Sequence, residues 1–102
     1  MGEFASVGPA GGVPEGTIAG YTVGSRRIAI ARAEGRLFAF DDLCTHAMCS
    51  LADGELEGAT VLCPCHYGQF DLATGAVIDG PPPGPIRVFP VREIDGEIQV
   101  GT

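Results

Sequence analysis

The chain has 102 residues, the size of one small domain, with 6 basic against 13 acidic residues and a formal net charge of −7. That length excludes a cofactor domain plus a substrate domain, and an acidic chain whose basic residues are all arginine argues against a nucleic-acid partner. No apolar run approaches a bilayer span, and the N-terminus MGEFASVGPAGG lacks an export signal, so a cytoplasmic protein without membrane association is expected.

In chain order, residues 1–12 are rich in glycine and small residues and are expected to be flexible, with Gly2 to Phe4 given no structural weight. Strands are expected at Ile18 to Val23 and Arg27 to Ala33, and a turn at Glu34-Gly35 leads into Leu37 to Phe40. Further on, Phe70 to Leu72 and Ala76 to Ile78 flank a Thr74-Gly75 turn. The last pair, Arg87 to Ile94 and Glu97 to Val100, meets across Asp95-Gly96, the strongest hairpin signal in the chain. Pro90 has no N–H to donate and predicts an edge or a bulge. No twelve-residue stretch carries a helical apolar pattern free of glycine and proline. The expected fold is therefore all-β, a small antiparallel sandwich or barrel.

Between Leu37 and Ile86 there are seven carboxylates and no arginine, so the net charge of the sequence falls on this central stretch. Alone, such a run is a solvated surface. Around a metal site it becomes a steering field for a basic partner.

That stretch also contains every cysteine and histidine of the chain: Cys44, His46, Cys49, Cys63, Cys65 and His66. A structural zinc site usually keeps like ligands together, C-x2-4-C followed by H-x3-5-H. Here each short segment instead offers a cysteine and a histidine, as Cys44-Thr45-His46 and Cys63-Pro64-Cys65-His66. Mixed segments suit a [2Fe–2S] cluster with two thiolates on one iron and two imidazoles on the other, each segment spanning both irons. A pure disulfide scaffold leaves both histidines without a role. The spacing favours the iron–sulfur reading, and zinc remains the alternative.

The pattern C-x-H, sixteen residues, then C-x-x-H resembles the Rieske signature, with Cys44, His46, Cys63 and His66 in the ligand positions. The likeness extends from Pro14 to Val100 through Pro14-Glu15-Gly16, Phe40-Asp41-Asp42, Ser50-Leu51, Leu56-Glu57-Gly58 and Phe70-Asp71-Leu72. These resemble the soluble Rieske ferredoxins of bacterial ring-hydroxylating dioxygenase systems. The resemblance implies a single domain over residues 1–102, with a cluster-binding subdomain of two loops at about residues 43–70. It places Gly80-Pro81-Pro82-Pro83-Gly84-Pro85 as a third loop over the cluster. Dioxygenase-type ferredoxins lack Cys49 and Cys65, whose offsets match a pair that is disulfide-bonded in cytochrome-complex Rieske proteins. The resemblance thus implies a Cys49–Cys65 disulfide, against the alternative of two buried free thiols. Gly68 and Phe70 stand where those proteins carry hydroxyl donors to the cluster, which implies a potential in the lower half of roughly −150 to +300 mV.

No histidine is left for an oxygen-activating metal, and no G-x-G-x-x-G follows a strand, so the chain is expected to be a carrier and not an enzyme. The implied partners are a flavin-dependent ferredoxin reductase and a terminal oxygenase of aromatic hydrocarbon catabolism. A small Rieske subunit of another redox enzyme, such as nitrite reductase, and a zinc-stabilised binding module without redox activity are the alternatives.

Overall fold

A computed structural model describes residues 4–43, 49–65, 68–79 and 84–101. Three antiparallel sheets build the fold. The central one runs β2 (Ile18–Val23), β3 (Arg26–Ala33), β4 (Arg36–Asp41) and β9 (Val88–Phe89). A second sheet consists of β5 (Glu55–Glu57), β6 (Thr60–Leu62), β7 (Gln69–Asp71) and β8 (Val77–Asp79). The third orders β1 (Phe4–Pro9), β11 (Glu97–Gly101) and β10 (Val91–Ile94). Two 3-10 turns, Ala10–Gly12 and Leu51–Asp53, are the only helical pieces among the described residues.

Side-chain alternation along β3 and β4 explains why the central sheet is covered on both faces. Ala29, Ala31, Ala33, Phe38 and Phe40 face one way, onto Leu51, Val61, Cys63, Phe70, Leu72 and Ile86. Ile28, Ile30 and Ala39 face the other way, onto Val13, Ile98 and Val100. One apolar layer thus supports the Cys/His region, and the other closes the base of the molecule.

Turn chemistry sets the register. Ala33 pairs with Arg36 and Ile94 with Glu97, leaving two-residue loops at Glu34-Gly35 and Asp95-Gly96. Both loops hold positive φ at both positions, 55° and 75° in the first and 53° and 78° in the second. This is the hairpin turn whose twist matches the flanking strands. Pro90 falls where the chain changes sheets: β9 pairs with β4, β10 pairs with β11, and the Pro90 carbonyl still accepts a bond from Gly101 N at 2.8 Å.

Two expectations change. The segment expected to be flexible forms β1 from Phe4, paired with β11, and the Ala10 amide bonds the Gly96 carbonyl at 2.8 Å. Backbone pairing and the Arg92 guanidinium over the Phe4 ring, 3.9 Å from its centroid, hold this weakly apolar strand in place. The short hairpin β5–β6 is also additional to the strands read from the sequence.

Gly54 lies where the Leu51–Asp53 turn passes over β6. A Cβ there would collide with the carbonyl oxygen of Leu62, and it would lie 3.2 Å from that of Leu51. Backbone on both sides leaves nothing flexible to move, so Gly54→Ala is expected to cost about 1–3 kcal/mol of stability. Urea denaturation checks this, and an unchanged midpoint would contradict the packing described.

Candidate metal centre

The two segments that carry the Cys/His residues leave the β scaffold at neighbouring corners. The first follows β4. Leu43 bridges Ser50, and the Leu51 amide donates to the Asp42 carbonyl at 2.6 Å, so the chain returns to its own starting point. The second connects β6 to β7, and the Cys63 amide donates to the Gly68 carbonyl at 2.8 Å across its base. Cys44, His46 and His66 lie outside the described residues, as do residues 80–83 of the proline-rich segment.

Among the expected ligands, Cys63 is described. It is fully buried, unbonded to another cysteine, and packed in the same apolar cluster as Phe40, Phe70 and Leu72. Its thiol position is therefore fixed from below by the central sheet. Beside it opens a crevice of about 260 Å³ lined by Asp53, Gly54, Glu55, Leu62, Cys63 and Pro64. Asp53 and Glu55 on its rim are exposed.

Cys49 and Cys65 are joined in a disulfide with a Cα–Cα distance of 6.4 Å. The bond ties the first segment to the second, between residues that follow His46 and precede His66 in the chain. Cys49 is half-buried against the central apolar cluster and Cys65 is exposed. The alternative of two buried free thiols is thereby set aside. Because disulfide sulfurs are not metal ligands, the bond leaves two thiols and two imidazoles of the sequence as candidate donors: Cys44, Cys63, His46 and His66. That set fits a [2Fe–2S] cluster with unlike ligands on its two irons. No group of three His, Cys, Asp or Glu side chains suited to a metal occurs among the described residues.

Residues 3–90 match the Rieske [2Fe-2S] domain. The chain belongs to this family. Its ferredoxin relatives include the ferredoxin component of the naphthalene 1,2-dioxygenase system of Pseudomonas aeruginosa, 40% identical over 85 residues, 83% of this chain and 81% of that one. The anthranilate 1,2-dioxygenase ferredoxin subunit of Burkholderia cepacia is 36% identical over 100 residues, 98% of this chain and 93% of that one. The fold matches the ferredoxin solved in complex with the reduced oxygenase of carbazole 1,9a-dioxygenase, with a TM-score of 0.88 and 34% identity. That match covers 96% of this chain and 92% of the other. As a Rieske domain the chain carries one [2Fe–2S] cluster, and its all-β antiparallel fold is that of Rieske ferredoxins. No described helix is long and apolar enough to cross a membrane.

The fold softens the charge division read from the sequence. Arg26 and Arg27, at the start of β3, approach Asp41 at the end of β4 and Asp42 just after it, at 3.8 Å and 3.3 Å. Two of the seven central carboxylates thus have a cationic partner. Asp53, Glu55 and Glu57, exposed on or before β5, keep the negative surface on the Rieske site's own sheet. Sequence reading counted Asp42 as one more surface acid. It is instead 2% exposed, and only its place directly after a strand and two residues before Cys44 could have hinted at another role.

Proposed function

We propose that this Rieske protein is a soluble cytoplasmic one-electron carrier, passing electrons from a flavin-dependent reductase to a terminal oxygenase. Cys44 and Cys63 hold one iron of the cluster and His46 and His66 the other. The single domain spans residues 1–102, with its cluster-binding part at about residues 43–70. The cluster, when bound, supplies reversible uptake of one electron and nothing else.

The observation that carries this reading is the disulfide. It withdraws Cys49 and Cys65 from ligation and leaves two thiols for exactly two histidines. The protein's remaining tasks are to hold its ligands rigidly and to meet its partners. The buried Cys63 and the Cys49–Cys65 bond serve the first. Asp53 and Glu55, on the rim of the crevice beside Cys63, serve the second by attracting a basic partner surface to the site. Relationship to dioxygenase-system ferredoxins at 40% and 36% identity favours this assignment over a nitrite reductase subunit, and the mixed Cys/His segments disfavour a zinc module.

Stopped-flow transfer to the oxygenase tests the docking part. Surface charges are screened within about 10 Å at 0.1 M salt. The second-order rate is therefore expected to fall by roughly tenfold from low to high ionic strength. Asp53→Asn with Glu55→Gln should flatten that dependence. A rate indifferent to salt would refute steering by these carboxylates.

A further inference from the structure

Asp42 is the sole buried charged side chain among the described residues, at 2% exposure. A buried carboxylate is costly unless donors surround it. Here the Ser50 hydroxyl shares its one proton between the two oxygens, with Oγ 2.8 Å from each, and the Ala52 amide donates to Oδ1 at 3.0 Å. Arg27 Nε completes the set on Oδ2 at 3.3 Å. The backbone of Asp42 repeats the connection: its amide donates to the Arg27 carbonyl at 3.2 Å, and its carbonyl accepts from the Leu51 amide at 2.6 Å.

These bonds have a direction. Asp42 stands on the outgoing side of the segment carrying Cys44 and His46, while Ser50, Leu51 and Ala52 stand on the returning side. A glycine in mid-strand gives room for the third partner: a Cβ at Gly20 would lie 2.5 Å from Arg27 Nη2. A carboxylate that served stability alone could be replaced by a well-packed apolar residue at little cost. This one instead joins two points eight to ten residues apart, on either side of the ligand pair.

We infer that Asp42 is a positioning residue, clamping both ends of the 43–50 segment and so fixing where Cys44 and His46 are presented. The inference rests on the ligand assignment proposed above. With the disulfide it gives the first segment two independent anchors, one at its base and one to the second segment.

The test uses the purified, cluster-loaded protein and the variants Asp42→Ala and Ser50→Ala. Ile98→Ala, in the apolar cluster on the far face of the central sheet, serves as a control for lost stability. Both clamp variants are expected to shift the EPR g-values of the reduced protein. They should also speed loss of iron to an external chelator by roughly tenfold, as expected for losing hydrogen bonds to a buried charge. They should raise amide exchange at Leu51 and Ala52, and Ile98→Ala should leave the g-values unchanged. Unaltered g-values and iron loss in Ser50→Ala, the milder change if Asp42→Ala does not fold, would overturn the proposal. So would an equal effect in Ile98→Ala. A wild-type protein without the EPR signal would instead overturn the ligand assignment, and the amide exchange would still report on the clamp.

Discussion

Cys63→Ala is expected to give a folded protein that has lost its colour and nearly all of its iron. The side chain is fully buried in a layer built from Phe40, Val61, Phe70 and Leu72, and alanine fits there with a small void. The stability cost should therefore be about 1 kcal/mol, typical of a modest core substitution. Its chemical cost is far larger, because one of the four proposed donors disappears and the disulfide leaves no spare thiol to replace it. Circular dichroism should stay native-like while iron per chain falls towards zero. A coloured Cys63→Ala protein retaining its iron would show that the ligand set has been misassigned.

Removing the disulfide should act on the fold first. Cys49 and Cys65 are 16 residues apart in sequence, and closing a loop of that size stabilises by about 3 kcal/mol in the chain-entropy account. For a domain of this size such a loss lowers the melting temperature by about 10–20 °C. Cys49→Ala with Cys65→Ala should show that fall, because Cys49 packs on the apolar cluster and its bond crosslinks the two Cys/His segments. Iron should still bind, since neither sulfur is a ligand, but should be lost faster on heating. A thiol count on denatured, metal-free protein gives a direct check. Two thiols should react before reduction and four after it, whereas four at the outset would contradict the bond.

The contrast between these variants reflects what could be read from the chain. Cys44, His46, Cys63 and His66 can be proposed as ligands from the sequence because ligand chemistry imposes residue type and spacing in one dimension. The hairpins at Glu34-Gly35 and Asp95-Gly96 were legible for the same reason: two-residue turns with positive φ need those residues locally. By contrast β1, with only half-buried and exposed residues in FASVGP, owes its place to pairing with β11. Strands β5 and β6, three residues each, are too short for alternation to be seen, and they lack a turn signal like the Thr74-Gly75 pair that marked the equally short β7 and β8. Asp42 was hidden in another way. Its burial depends on Arg27 and Ser50, 15 residues before it and 8 after it, and no local pattern separates it from the exposed Asp53.

The account stands or falls on what this donor set holds. Iron and acid-labile sulfide analysis of anaerobically purified protein, with EPR before and after reduction, addresses that directly. The expected result is two irons and two sulfides per chain, silent when oxidised and giving one unpaired-electron signal after uptake of a single electron. A colourless protein with one zinc per chain and no signal on reduction would contradict it.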